Sequence, residues 1–139
     1  MLFRSLGPGS VFTSILPNLL IPGIPEAIRS SKAKKVYVCN VMTQPGESDG
    51  FSAFDHIQTI EMHAGRKLFD YALVNTDRPG QDMMKKYLST GAQFVEPDTD
   101  RIRAAGYRPI RGHYISESAV VRHDATRLAE AIMKLVGGP

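Results

Sequence analysis

The sequence predicts an α/β fold, a Rossmann-like three-layer arrangement around a mostly parallel sheet. Three observations carry this reading. Two short runs, Lys35-Val-Tyr-Val-Cys-Asn-Val41 and Tyr71-Ala-Leu-Val-Asn75, are apolar at almost every position. Runs without polar alternation read as strands buried on both faces, the pattern of parallel sheets. Segments of helical periodicity lie between and after them, so strand and helix alternate. Finally, 139 residues is a one-domain length with enough chain to bury a sizeable core.

The elements follow in order. Residues 1–5 read as a non-native junction and are set outside the fold, leaving 6–139 as the domain. Pro17, Pro22 and Pro25 forbid one long helix from Val11 to Ser31, because proline lacks the N–H and clashes with the preceding turn. Two short helices, about residues 11–20 and 25–31, are expected, broken at Pro22-Gly23. After the first strand, Ser52 caps a helix to Ala64, with Phe54, Ile57, Ile60 and Ala64 on one face and Gly65 closing it. After the second strand, Gln81–Thr90 is a helix stopped by Gly91. Ala92–Glu96 is a weaker third strand. Tyr107–Ile115 is extended, and its arginines and glycine place it at an edge or in a loop. The clearest helix is Ala125–Val136: Asp124 caps it, Leu128, Ala131, Ile132 and Leu135 make its stripe, and Gly137-Gly-Pro ends it.

Composition narrows the function classes. The net charge of +3 is small and spread along the chain. Lys32, Lys34 and Lys35 read as a solvated helix end; a nucleic-acid patch tends to interleave aromatics with its cations, and this one does not. The single cysteine, Cys39, cannot staple the fold and reads as a small buried hydrophobe. That fits a reducing, cytoplasmic setting. No apolar stretch approaches the 18 or more residues of a membrane span. Neither a nucleic-acid partner nor a membrane span is therefore expected, and homo-oligomerisation is left open.

In parallel sheets, ligands collect at the carboxyl ends of the strands. The loop Gly7-Pro-Gly-Ser10 runs into a helix start, where free N–H groups and the helix dipole favour an anion. Ser10 and Thr13 add hydroxyls at the same mouth. No Gly-Lys-Ser/Thr follows, so this is not a Walker loop. A plain turn with Ser10 as helix cap fits equally well. The second loop, Asn40 to Gly50, packs Thr43, Gln44, Glu47, Ser48 and Asp49 into a turn shaped by Pro45, Gly46 and Gly50. Asn40 and Asn75 each end a buried strand, where ligand contact and capping compete equally.

Three stretches carry a family resemblance: Gly-Pro-Gly-Ser-Val-Phe-Thr-Ser-Ile-Leu-Pro-Asn-Leu-Leu (7–20), Val-Tyr-Val-Cys-Asn-Val-Met-Thr-Gln-Pro-Gly-Glu-Ser-Asp-Gly (36–50) continued by Ala53-Phe-Asp-His56, and Val121-Arg-His-Asp124. With these the chain resembles the carboxyl-terminal part of the YvcK/CofD-like family, the gluconeogenesis factor proteins. The resemblance implies a Rossmann-like fold and a cytoplasmic bacterial protein. In the YvcK branch it implies a non-catalytic regulator of carbon metabolism and cell shape that binds UDP-N-acetylglucosamine, with no cofactor required. The CofD branch instead implies a transferase that joins a phospholactate-type group to a deazaflavin precursor of coenzyme F420, using Mg2+. The wording of the Met42–Glu47 and Thr13–Asn18 stretches follows the YvcK branch. Family proteins are more than twice this length and open with a glycine-rich turn that is not in this sequence. The amino-terminal part is thus expected to be missing, and an apolar sheet edge is expected where it would pack. A third reading is an incomplete half-domain without activity alone.

The resemblance also places Arg122, otherwise read as a surface arginine, at the nucleotide-sugar site, where a guanidinium forks onto phosphate oxygens, and Tyr87 near the base, where half-buried helix packing fits equally well. The expected ligand-binding set is Gly7, Gly9, Ser10, Thr13, Asn40, Thr43, Gln44, Tyr87 and Arg122. His56, His63, His113 and His123 read as structural or solvent-exposed, since no spacing fixes a third metal ligand. Glu47 and Asp49 would hold a metal only in the transferase branch. No catalytic residue and no metal ligand is assigned.

Overall fold

The computed structural model describes residues 2–117 and 120–137. Strands β1 (Phe3–Leu6), β2 (Lys34–Val38), β3 (Tyr71–Asn75) and β4 (Arg108–Gly112) form one sheet in that order. Every pair is parallel, with Ser5 beside Val36, Val36 beside Tyr71 and Leu73 beside Ile110. A second, antiparallel ribbon joins β5 (Ile115–Glu117) to β6 (Val121–His123). The helices are a π-helical segment (Val11–Ile15) running into α1 (Leu16–Leu19), then α2 (Ile24–Ser30), α3 (Ala53–Ala64), α4 (Gln81–Leu88), α5 (Thr99–Ala104) and α6 (Ala125–Gly137).

The double-sided burial inferred from the strand sequences has a direct cause. Successive strand residues point to opposite faces. Tyr37, Cys39, Ala72 and Val74 meet Ile15, Leu19, Ile57, Ile60 and Ile102 from the helices on one side. Val36 and Leu73 meet Tyr114 and the α6 stripe of Leu128, Ala131, Ile132 and Leu135 on the other. With both faces covered, neither can be polar, and three layers result. No described helix is long and apolar enough to cross a membrane.

Local signals are realised where the capping chemistry is strong. The Ser52 side chain accepts from the Asp55 N–H and the Asp55 carboxylate accepts from the Ser52 N–H, a full capping box. Asp124 caps α6 by accepting from the Arg127 N–H at 3.0 Å. Gly138 and Pro139, read as the end of that helix, lie outside the described residues. The proline-rich segment bends by 79° between its two helical pieces, across the break at residues 20–23.

Three expectations are corrected. Residues 3–5, set outside the fold together with Met1 (itself outside the described residues) and Leu2, are paired in β1 at the sheet edge. Ala92–Glu96 does not join the sheet. It lies antiparallel to the Val41–Thr43 loop, with a bridge between Met42 and Phe94, because the edge beside β3 is taken by β4. Lys34 and Lys35 are not a solvated helix end but open β2: Lys34 Nζ donates to the Leu135 carbonyl on α6, and Lys35 is buried, its Nζ 3.8 Å from the Asp70 carboxylate. The Tyr107–Ile115 stretch does supply the edge strand β4.

Candidate functional site

The site begins at the carboxyl ends of β1 and β2. Gly7 has φ +77°, and a Cβ there would lie 2.8 Å from the Val38 carbonyl oxygen, so the turn off β1 needs glycine. Asn40, just past β2, holds the next residues. Its Oδ1 accepts from the Gly9 N–H and its Nδ2 donates to the Gly9 carbonyl, each at 3.1 Å. Ser10 caps the π-helical segment by accepting from the Thr13 N–H at 3.2 Å, and its hydroxyl donates to the Glu47 carboxylate. The Ser10 carbonyl accepts from the N–H groups of Ser14 and Ile15, both at 3.0 Å. The N–H groups of Val11 and Phe12 have no acceptor among the described residues, as expected at a helix start that can take an anion.

The β5–β6 ribbon closes the opposite wall. The Val121 N–H donates to the Tyr87 hydroxyl at 2.7 Å, which ties β6 to α4. The His123 ring places Nε2 3.1 Å from the Cys39 carbonyl at the end of β2. Arg122, between them, is exposed. The result is an open groove of about 440 Å³ lined by Pro8, Gly9, Ser10, Asn40, Gln44, Tyr87, Arg122 and His123, with Val41, Met42 and Val121.

Tertiary structure therefore brings together Gly9, Ser10, Asn40, Gln44, Tyr87 and Arg122, which lie as far as 113 residues apart in the chain. It does not bring Gly7, Thr13 or Thr43 into the same lining. Gly7 lines a neighbouring cavity of about 370 Å³ between β1, α1 and α2. Thr13 is exposed on the first helical turn. Thr43 is buried, with its hydroxyl accepting from the Gln93 N–H at 2.9 Å. Two of the six are positioning groups as much as contacts: both ends of the Asn40 amide are used, and so are both roles of the Ser10 hydroxyl.

Sequence reasoning missed His123 as a lining residue. The only available signal was that it stands beside Arg122 in a short strand, where two neighbours face different ways. Burial lowers its pKa, partly offset by the Cys39 carbonyl. Cys39 itself is inert, its thiol pushed up to about 12 by burial.

The other three histidines lie elsewhere. His56 is fully buried in α3, its Nδ1–H donating to the Ser52 carbonyl at 2.8 Å while Nε2 has no partner among the described residues. His63 is exposed. The His113 ring lies against the Asp77 carboxylate in a separate groove, near the carboxyl ends of β3 and β4. Asn75 acts as a turn clamp: its Oδ1 accepts from the Tyr114 N–H at 2.9 Å and its Nδ2 donates to the Asp77 carbonyl. The turn carboxylates that a magnesium ion would use are taken, Glu47 by Ser10 and Asp49 by the Gly46 N–H at 2.9 Å. No group of three His, Cys, Asp or Glu side chains converges as a metal site among the described residues. This donor set does not fit a metal by itself.

Comparison with known proteins places this architecture. Residues 5–115 match the family described as 2-phospho-L-lactate transferase CofD. The gluconeogenesis factor of Halalkalibacterium halodurans is 45% identical over 130 residues, 93% of this chain and 40% of that protein. The gluconeogenesis factor of Bacillus subtilis is 40% identical over 132 residues, 94% of this chain and 42% of that protein. A crystal structure of a UPF0052 family member from Bacillus halodurans superposes with a TM-score of 0.91 at 44% identity, covering 94% of this chain and 42% of that one. The chain thus spans about 40% of the length of the curated relatives it matches. It belongs to the CofD family.

Proposed function

We propose that this CofD-family chain carries part of a nucleotide-sugar site, that its ligand is UDP-N-acetylglucosamine, and that it acts as a non-catalytic, cytoplasmic regulator of carbon metabolism and cell shape. One observation carries the ligand reading. The Gly9-Ser10 turn, the end of β2, Tyr87 and Arg122 converge on one groove at the ligand end of a parallel sheet. Arg122 offers a permanent charge and a fork of donors for a diphosphate. The N–H groups of Val11 and Phe12, which follow Ser10 of the lining in the chain, offer further donors. The similarity to proteins named gluconeogenesis factor supports the regulatory role. Neither a cofactor nor a metal is part of this reading.

The direct test is calorimetric titration of the purified protein with UDP-N-acetylglucosamine. Binding is expected, and Arg122→Ala should weaken it at least about tenfold, the loss of a charge-assisted bond. Arg122 is exposed, so the same variant should unfold at a denaturant concentration close to that of the parent. No binding by the parent protein, or equal binding by the variant, would sink the proposal.

A second reading is a CofD-type transferase, favoured by the family match over residues 5–115. It predicts magnesium-dependent product from a deazaflavin acceptor and a phospholactate donor. A third, an incomplete half-domain without activity alone, is favoured by the share of the relatives that the chain spans. A cooperative thermal transition that rises with ligand would end it.

A further inference from the structure

We propose that His123 sets the base specificity of the groove by presenting a fixed hydrogen-bond acceptor, its Nδ1, to a ring N–H of the bound nucleotide. This inference rests on the nucleotide-sugar reading above and adds the atom that selects the base.

The tautomer follows from one contact. His123 Nε2 lies 3.1 Å from the Cys39 carbonyl oxygen. A carbonyl only accepts, so Nε2 carries the proton, and in a neutral imidazole Nδ1 is then the acceptor. Both ends of the arrangement are held. The Cys39 N–H is bonded to the Leu73 carbonyl at 3.0 Å, inside the sheet. On the other side, the Asp124 N–H is bonded to the Tyr114 carbonyl at 2.7 Å, and His123 itself is in register with Ile115. Burial favours the neutral ring.

Among the other lining side chains, none presents a comparable oriented acceptor. Both amide groups of Asn40 are spent on Gly9. The Ser10 hydroxyl accepts from Thr13 and donates to Glu47. The Tyr87 oxygen accepts from Val121, which leaves its O–H as a donor. Arg122 only donates. Gln44 is exposed, and its amide can turn either way. Donors therefore suit the anionic part of a ligand, while His123 offers one oriented lone pair beside Met42 and Val121, whose apolar surface suits the face of a planar ring. Uracil brings an imide N–H to such a lone pair. Cytosine brings a lone pair at the same ring position, and acceptor would meet acceptor.

The test compares UDP with UDP methylated at N3, a change in the ligand that requires no variant protein. Calorimetry should give at least about tenfold tighter binding of UDP, roughly the value of one well-placed bond, and His123→Phe should abolish the difference. Long-range proton–nitrogen spectra of the free protein should show His123 protonated at Nε2, with the Nδ1 signal moving when UDP, but not the methylated form, is added. Equal affinity for the two ligands would overturn this inference and leave the nucleotide-sugar site standing. A protonated Nδ1 in the free protein would overturn it without any ligand. Failure of both UDP and UDP-N-acetylglucosamine to bind would overturn the two proposals together.

Discussion

The side-chain amide of Asn40 bonds to both backbone groups of Gly9, accepting from its N–H and donating to its carbonyl, each at 3.1 Å. Through this pair the chain just past β2 holds the turn that leaves β1, and the shape of the groove depends on it. A primary amide carries a donor and an acceptor on adjacent atoms of one planar group, which matches the N–H and carbonyl of a single residue. Asn40→Ala leaves two partly buried backbone groups without partners. It should cost about 1–3 kcal/mol, read as a lower urea midpoint with an unchanged slope. Asn40→Asp should cost a similar amount, since it keeps the bond to the N–H but sets a carboxylate oxygen against the Gly9 carbonyl. A midpoint within experimental error of the parent in both variants would contradict this account.

Gly7→Ala is expected to destabilise the fold by roughly 1–3 kcal/mol. The backbone there has φ +77° and the new Cβ would press on the Val38 carbonyl oxygen, which is fixed in the sheet. Gly46 offers a control: it also has a positive φ, but nothing lies within 4 Å of where its Cβ would be. Thermal melts of the two alanine variants should therefore show the larger drop for Gly7.

Tyr87→Phe removes the acceptor of the Val121 N–H at 2.7 Å. The expected loss is about 1 kcal/mol. Because this bond joins α4 to β6, amide exchange should quicken at Val121, while the β2–β3 core stays protected. Uniformly faster exchange throughout the chain would mean that Tyr87 supports the whole fold rather than the ribbon.

Acid should weaken this protein through two histidines. Burial holds the pKa of His56 and of His123 below the ordinary value, in each case partly offset by a carbonyl that takes the ring N–H. With a depressed native pKa, the unfolded chain binds more protons, so stability rises with pH across the gap. The contribution is full above the unfolded histidine value of about 6.5 and is lost as the pH falls from there through the two native values. Denaturant midpoints should be level above about pH 7 and decline below about pH 6.5. His56→Gln and His123→Gln should each flatten the decline. A midpoint that rises on acidification through that window would reverse the sign and refute the assignment.

Much of the fold was legible because its signals are local. The unbroken apolar runs at 35–41 and 71–75 can be stable only with both faces covered, and covering both faces of parallel strands takes helices on each side. Ser52 with Asp55, and Asp124 with Arg127, make capping bonds within three residues, so no distant partner was needed to read them. Where a distant partner decides, the reading failed. Ala92–Glu96 has the composition of a strand, but β4 already occupies the edge beside β3. Lys34 and Lys35 look solvated until α6 and Asp70 are placed next to them. Phe3–Ser5 is unremarkable in sequence and pairs because an edge of β2 was open.

The site divides in the same way. By itself the sequence determined an α/β chain with a Gly-Pro-Gly-Ser turn, a polar loop after the first buried strand, and an arginine ahead of the last helix. These are composition and short-range conformation, set by glycine backbone freedom, strand burial and capping. Only the tertiary structure decided which residues share the groove. The Asn40 bonds to Gly9 span 31 residues, the Tyr87 bond to Val121 spans 34 and the His123 bond to Cys39 spans 84. No local periodicity encodes contacts at such separations. They arise because parallel strands direct their carboxyl ends to one side, and that geometry turned Thr43 into the core and brought His123 to the groove.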